Sequence, residues 1–200
     1  MGPPFFFGRQ GAPALMILVF WVVFYAWLLA ELWIGWRYRV PPGSAARDRG
    51  SRTLLIASVW LGVTLGVGLS FTQASVIGPL RDVVLALGIA AMLAGVVLRW
   101  SAIRTLGQSF TTAVAVRAEQ AVVESGPYRW IRHPSYTGGL LTVLGCLIAC
   151  ANTVSLIAIV IPLLGYIYRM RVEEQALMAG LGAPYLDYMQ RTKRLIPFIV

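Results

Sequence analysis

The sequence has little charge and few of the side chains that most often do chemistry in soluble enzymes. Its 200 residues include one histidine, one lysine and two cysteines, and only 12% are charged. A soluble domain is about one quarter charged, so an ordinary soluble globular domain is excluded. Disorder is excluded too, because 58% of the residues are hydrophobic and disordered chains have low hydrophobicity. The composition is that of a polytopic integral membrane protein.

The scarcity of cysteine and histidine also bears on metal binding. Cys146 and Cys150 lie four residues apart in an apolar run, so they share one face of a helix. No histidine is near enough to complete a zinc pattern. We interpret both cysteines as small packing residues and predict no metal site.

The net charge of +9 comes almost entirely from arginine. A basic chain raises nucleic acid as a partner, but here the arginines lie at the ends of apolar segments, where they face anionic headgroups. No nucleic-acid-binding motif accompanies them. We therefore expect membrane lipid as a partner and no nucleic acid.

Apolar runs predict an all-α, polytopic integral membrane helix bundle with about five transmembrane helices. A membrane-spanning helix needs about 20 largely apolar residues, and three runs qualify or nearly so, at 14–36, 54–71 and 83–100. The first is too long for a signal peptide and lacks a basic leader. Two shorter runs, at about 139–168 together, predict a helical hairpin whose second arm is kinked by Pro162.

Arginine placement predicts the orientation of these spans. Cytoplasmic loops of membrane proteins are enriched in Lys and Arg. With the N-terminus outside and the C-terminus inside, all basic residues except Arg9 and Arg81 lie on the cytoplasmic side. Abundant Gly and Ala beside a single lysine indicates a GC-rich bacterial source, and hence a bacterial inner (plasma) membrane.

Small residues predict where the spans approach one another closely. Gly62 and Gly66 lie four apart, with Gly68 following, and Gly95 lies among alanines in the third run. Such surfaces permit close helix contact. The inner loop that begins at Pro41-Pro42-Gly43 is interpreted as a connector without a functional role.

The first polar cluster of interest surrounds the only histidine. A turn signal at Gly126-Pro127-Tyr128 is followed by residues 132–138, with His133 at the mouth of the fourth span. Pro134 suits the first turn of a helix, whose free amides attract carboxylates and phosphates. The alternative is an interfacial helix start in which Tyr and Arg anchor the membrane surface.

The second cluster is Arg169, Arg171, Glu173 and Glu174, just past the fifth span. If the helix continues, i,i+4 and i,i+3 ion pairs form along it. The alternative is a solvated extension of that helix, but paired acids beside a membrane are expensive without a cation near them. A third stretch, 185–197, is interpreted as an amphipathic tail.

The order of these motifs resembles the isoprenylcysteine carboxyl methyltransferase family, in particular its bacterial and archaeal members; membrane phospholipid methyltransferases share a similar signature. The resemblance covers about 106–197, and it divides the chain into membrane helices at 1–105 and a methyltransferase region at 106–200. Its motifs are Leu106-Gly107-Gln108-Ser109-Phe110-Thr111, Gly126-Pro127-Tyr128, Arg132-His133-Pro134-Ser135-Tyr136-Thr137-Gly138, Arg169, Arg171, Glu173-Glu174, Leu177, Gly182, Tyr185, Tyr188 and Arg194-Leu195-Ile196-Pro197.

The resemblance implies a methyltransferase that uses S-adenosyl-L-methionine, with a cytoplasm-facing cofactor pocket and a lipophilic or prenylated acceptor that enters through the membrane. No Gly-rich βαβ fingerprint is present. The oligomeric state is left open. The cofactor-binding residues that it implies are Tyr128, Arg132, His133, Pro134, Tyr136, Gly138, Glu173, Tyr185 and Tyr188.

The catalytic candidates are Arg171, Glu174, Glu173 and Arg194. A carboxylate acceptor is ionised at pH 7 and needs no base, so an arginine holds it in bidentate fashion, Arg171 first and Arg194 second. An amine acceptor needs a base, and Glu173 or Glu174 then fills that role.

Several alternatives stay open on the sequence alone. The acceptor is a carboxylate, a phospholipid or other amine, or a thiol. An NADPH-dependent sterol-type membrane reductase has a similar Arg-His-Pro-like segment. A lipid-binding membrane scaffold is the non-enzymatic alternative.

Overall fold

The computed structural model describes residues 14–39, 48–71, 80–112 and 121–197. Regular structure in these ranges consists of helices and short 3₁₀ turns, which confirms the predicted all-α class. The α-helices are α1 (Ala14–Arg37), α2 (Ser51–Ser70), α3 (Arg81–Leu106), α4 (Pro134–Ala149), α5 (Val160–Leu181) and α6 (Ala183–Arg191).

Four segments of the described chain are long and apolar enough to cross a membrane, namely Ala14–Arg37, Ser51–Ser70, Arg81–Ser109 and Val154–Leu181. The apolar helix α4 is shorter, at 16 residues. Leu15 and Leu29 of α1 are among many large apolar side chains that remain exposed, as expected for surfaces that face lipid rather than water. The protein is an integral membrane helix bundle.

The helical hairpin forms, but its arms are displaced from the predicted 139–168. The first arm begins at Pro134, since proline lacks only an N–H that a first turn leaves unbonded anyway. A 3₁₀ turn at Val154–Ile159 leads into the second arm, so Pro162 lies in the first turn of α5 and not at an internal kink. The helix then continues through the polar cluster and ends at Gly182, whose φ is +62°.

Glycines set the closest helix packing in the protein. Gly88 and Gly95 of α3 face Gly145 and Gly138 of α4, one heptad apart on each helix. A methyl group on Gly145 would lie 2.6 Å from the carbonyl oxygen of Gly88. The backbones therefore touch, and the predicted small-residue surface at Gly95 is confirmed.

The predicted surface on α2 is confirmed in part. Gly62 packs on Pro162 of α5, where an added methyl group would lie 2.6 Å from the proline Cδ. Gly66 packs on Leu147 of α4, whereas Gly68 has open space beside it.

Helix α1 is joined to the bundle by a polar contact and an aromatic one. Arg99 of α3 donates from Nη2 to Oε2 of Glu31 at 2.8 Å, and the rings of Trp33 and Trp100 stack at 5.6 Å. Glu31 is the only acid in the first span, so this ion pair places the helix in register with α3.

The segment after α6, residues 192–197, runs back beside the start of α4. The amides of Arg132 and His133 donate to the carbonyls of Lys193 and Arg194 at 2.7 and 3.0 Å. Tyr188 of α6 donates to the carbonyl of Tyr128 at 2.7 Å. These bonds bring three motifs from distant parts of the chain to one end of the bundle.

Candidate functional site

The single histidine is buried at the centre of this end of the bundle. His133 is 5% exposed, directly before Pro134 begins α4. Its Nε2 lies 3.2 Å from Oε1 of Glu174, and its ring stacks on that of Tyr136 at 5.4 Å. The histidine is therefore fixed between α4 and α5.

Glu174 is buried, at 2% exposed, and it is the hub of a charged network. Arg132 donates to Oε1 from Nε at 3.1 Å, and Arg194 donates to Oε2 from Nε and Nη2 at 3.1 and 2.8 Å. A buried carboxylate is tolerated only when its lone pairs are satisfied in this way. Glu174 thereby links α5, the start of α4 and the segment that follows α6.

Glu173, the next residue, points to a different environment. Its side chain is 31% exposed and accepts a hydrogen bond from the phenol of Tyr136 at 2.5 Å. Nδ1 of His133 lies 4.0 Å away. Glu173 lines the central cavity described below, whereas Glu174 is not among the lining residues.

Arg169 is also buried here, and its partners come from four parts of the chain. Its Nε donates to the Tyr136 hydroxyl at 3.2 Å and its Nη2 to the carbonyl of Thr112 at 3.1 Å. Its Nη1 contacts both Asp48 and the hydroxyl of Ser51, the latter at 2.6 Å. The predicted ion pairs along α5 are thus replaced by contacts between elements.

Asp48 corrects the interpretation of the inner loop as a mere connector. It lies in the described part of that loop, is buried, and forms the ion pair with Arg169. It also accepts a hydrogen bond from the amide of Arg52, at 3.1 Å, in the first turn of α2. In the sequence, Asp48 is a single acid between two arginines, and this position was the signal for a role beyond a connector.

One cavity of about 400 Å³ joins these groups to the apolar helices. Its polar part is lined by Tyr128, Arg132, His133, Tyr136, Arg169, Glu173, Tyr185 and Tyr188, and its apolar part by Trp27, Leu28, Leu32, Leu55, Ile56, Val59, Trp60 and Val63. Both predicted regions of the chain, 1–105 and 106–200, therefore contribute walls to the same cavity.

The tyrosines of the polar part are neutral at physiological pH. Burial raises the pKa of Tyr128 and of Tyr185 well above the usual value for a phenol, and it raises the pKa of Tyr188 to about 12. These three side chains consequently contribute ring surface and hydroxyl groups without charge.

The ion pair of Glu31 and Arg99 also lines the cavity, between its apolar and polar parts. Arg99 donates in addition to the hydroxyl of Ser135 at 2.9 Å, in the first turn of α4. Neither Glu31 nor Arg99 was among the predicted site residues, although an acid inside a membrane span usually marks a functional site.

Five of the predicted residues lie outside the cavity lining, namely Glu174, described above, and Arg171, Arg194, Pro134 and Gly138. Arg171 is exposed on the surface of α5, so the geometry does not support it as the group that binds an acceptor carboxylate. Arg194 is engaged by Glu174. Pro134 and Gly138 are buried in the first turns of α4, where Gly138 packs on the backbone of α3.

The fold and site define a class: an integral membrane protein whose described elements are helical and which encloses a cavity with a polar part and an apolar part. A sequence model of the isoprenylcysteine carboxyl methyltransferase (ICMT) family matches residues 86–179. This match confirms the resemblance to that family that the motifs predicted.

Curated relatives carry names from the same family. Protein-S-isoprenylcysteine O-methyltransferase B of Arabidopsis thaliana is 34% identical over 115 residues, which cover 56% of this chain and 58% of the relative. The Saccharomyces cerevisiae protein-S-isoprenylcysteine O-methyltransferase is 34% identical over 116 residues, 56% of this chain and 48% of the relative. A probable protein-S-isoprenylcysteine O-methyltransferase of Oryza sativa subsp. indica is 28% identical over 166 residues, 78% and 87% of the two chains.

The solved structure of the eukaryotic intramembrane Ras methyltransferase ICMT has a similar fold. Its TM-score is 0.54 at 26% sequence identity, and the match covers 76% of this chain and 53% of that one. The chain spans little more than half the length of this structure and of the Arabidopsis relative.

Proposed function

We propose that the protein is an S-adenosyl-L-methionine-dependent membrane methyltransferase that esterifies the carboxylate of a lipophilic, isoprenylcysteine-type acceptor. The observation that carries this proposal is the cavity in which a charged network meets apolar helix faces. The sequence similarity of this chain to proteins named as isoprenylcysteine O-methyltransferases supports the choice of reaction. Such an acceptor has an anionic head on a long apolar chain, which matches the polar and apolar parts of the cavity.

The residues of the polar part fit the chemical groups of the cofactor. The cofactor carries an amine, a positively charged sulfur, ribose hydroxyls and a carboxylate. Glu173 is a cavity-lining carboxylate whose hydrogen bond comes from a neutral phenol, so its charge is available to cationic groups. Tyr128, Tyr185 and Tyr188 offer uncharged ring surface beside it. When bound, the cofactor supplies an electrophilic methyl group on a sulfonium.

The protein's own contribution is positioning and the exclusion of water. An acceptor carboxylate is already ionised at pH 7, so no side chain needs to remove a proton. Displacement at a methyl group is accelerated by holding the reactants in line in a dry site. Glu174 acts as a positioning residue, because it fixes Arg132 and His133 on the cavity wall.

Methyl transfer is the direct test. Purified protein in lipid vesicles is incubated with cofactor labelled in its methyl group and with an S-prenylated N-acylcysteine. We expect a base-labile methyl ester to form. Tighter binding of NADPH than of S-adenosyl-L-methionine, with no ester formed, would overturn the proposal in favour of a reductase.

We further propose that the site faces the cytoplasm of a bacterial cell. The arginine-rich ends of the spans support this orientation. A protease-cleavable tag placed after residue 200 is expected to resist protease added outside intact cells. Cleavage there would reverse the orientation.

A further inference from the structure

One face of α2 combines a cation with an unbroken apolar surface. Arg52 lies in the first turn of α2, and the residues that follow it at helical spacing all line the cavity. This spacing places them on one side of the helix. The series is Arg52, Leu55, Ile56, Val59, Trp60 and Val63.

Most arginines of the cavity are already neutralised by a carboxylate. Glu31 pairs with Arg99, Glu174 with Arg132, and Asp48 with Arg169. The guanidinium of Arg52 forms no ion pair with any residue in the described ranges. A half-buried cation in a membrane protein is costly without an anion.

Local structure holds this guanidinium at the cavity. Its Nη2 lies over Gly35 of α1, where an added methyl group would be 3.7 Å away. The Arg52 amide donates to Asp48, and Asp48 holds Arg169, which in turn donates to the Tyr136 hydroxyl beside Glu173. The cation is therefore attached through one chain of contacts to the part of the cavity assigned to the cofactor.

We propose that Arg52 binds the carboxylate of the acceptor while the acceptor's apolar chain lies along α2. This assignment rests on the proposed function and adds to it a specificity-determining residue outside the family motifs. Arginine presents two parallel N–H donors to a carboxylate, and the apolar residues that follow bury the chain. An isoprenylcysteine-type acceptor, with a carboxylate at one end and an apolar chain at the other, matches this order of groups.

The test compares an acid with an uncharged analogue. Methyl-transfer kinetics are measured with the S-prenylated N-acylcysteine acid, and its carboxamide is used as a competitive inhibitor. In the wild type the acid binds better than the amide. Arg52→Gln is expected to raise KM for the acid about 10- to 100-fold, the loss expected for a charge-assisted bond, while the Ki of the amide changes little. The KM of Arg52→Lys for the acid is expected to lie between that of the wild type and that of Arg52→Gln.

Three controls make the result decisive. Arg104→Gln removes an exposed arginine that does not line the cavity, and its kinetics are expected to match the wild type. Equilibrium binding of S-adenosyl-L-methionine checks that each variant folds. Arg39 also lines the cavity and forms no ion pair in the described chain, but unlike Arg52 it is exposed. Arg39→Gln removes its charge.

The outcomes separate this assignment from the proposed function. No methyl ester from the wild type ends the proposed function itself. An active wild type with an unchanged preference for the acid in Arg52→Gln overturns the assignment, as does a loss seen in Arg39→Gln alone. A KM that follows the anionic lipid content of the vesicles, and not the acceptor's charge, assigns Arg52 to a lipid phosphate and also overturns it.

Discussion

Glu173 and Glu174 are adjacent in the chain and divide two tasks between them. Glu174 is sealed inside the protein by Arg132, His133 and Arg194, while Glu173 faces the cavity and accepts a bond from Tyr136. Consecutive residues of a helix point about 100° apart, so a pair of acids necessarily meets two environments. One carboxylate stabilises the site and the other is available to a ligand.

Glu174→Gln is expected to destabilise the protein. The substitution leaves the buried guanidinium of Arg132 without its carboxylate, and breaking a buried ion pair costs about 3–5 kcal/mol. Thermal unfolding in detergent, followed by tryptophan fluorescence, measures the effect. Glu124→Gln breaks an exposed ion pair with Arg191 and is the control, with little or no change expected because solvent screens exposed pairs. Equal stability of the two variants would contradict the hub assigned to Glu174.

Glu173→Gln is expected to leave stability nearly unchanged and to weaken cofactor binding. A charge-assisted hydrogen bond contributes about 1.5–3 kcal/mol, so the Kd for S-adenosyl-L-methionine is expected to rise about tenfold or more. Isothermal titration calorimetry measures it. An unchanged Kd would mean that Glu173 contacts no cationic part of the cofactor.

Asp48→Asn is expected to lower kcat and also to destabilise the protein, because it breaks a buried ion pair. The variant keeps the size of the side chain but removes the charge that holds Arg169, and through it Tyr136. A misplaced positioning group costs of the order of tenfold or more in rate. Asp48→Glu restores the charge and is expected to recover part of kcat, which a purely structural role would not predict. Asp82→Asn, an exposed acid at the start of α3, serves as control.

Gly145→Ala is expected to separate α3 from α4. The new methyl group would meet the Gly88 carbonyl at 2.6 Å, and overpacking typically costs about 1–3 kcal/mol. Gly68→Ala makes the same change where nothing lies within 4 Å, so it is expected to be neutral or stabilising. A melting temperature that falls equally in both variants would argue against direct backbone contact between α3 and α4.

Tyr188 is expected to make stability depend on pH in the alkaline range. Burial raises the pKa of Tyr188 from about 10 to about 12, so the folded state favours the protonated phenol. Its contribution is complete below pH 10 and is lost as the pH rises through 12. Comparing the stability of the wild type with that of Tyr188→Phe between pH 9 and 12 isolates the contribution of this phenol. The variant is expected to lose less stability across that range.

The sequence predicted most of the fold because each span is a long apolar run bounded by arginines. It also predicted that His133 and the paired glutamates meet, through the order of the motifs. It missed Asp48 and Glu31, because a single acid has no periodic pattern and its partner, Arg169 or Arg99, lies far away in the chain. It favoured Arg171 and then Arg194 for an acceptor carboxylate, because the sequence alone does not show which arginines face the cavity.

The pairing of residues 193 and 194 with residues 132 and 133 has a consequence for biogenesis. All of the membrane-crossing helices are synthesised before this pairing can form, so insertion and site assembly are separate events. A copy clipped before Thr192 would stay in the bilayer with its helices in place but would lose the backbone bonds that hold the histidine segment. Cleavage before Thr192 would thus silence the protein without removing its helices from the membrane.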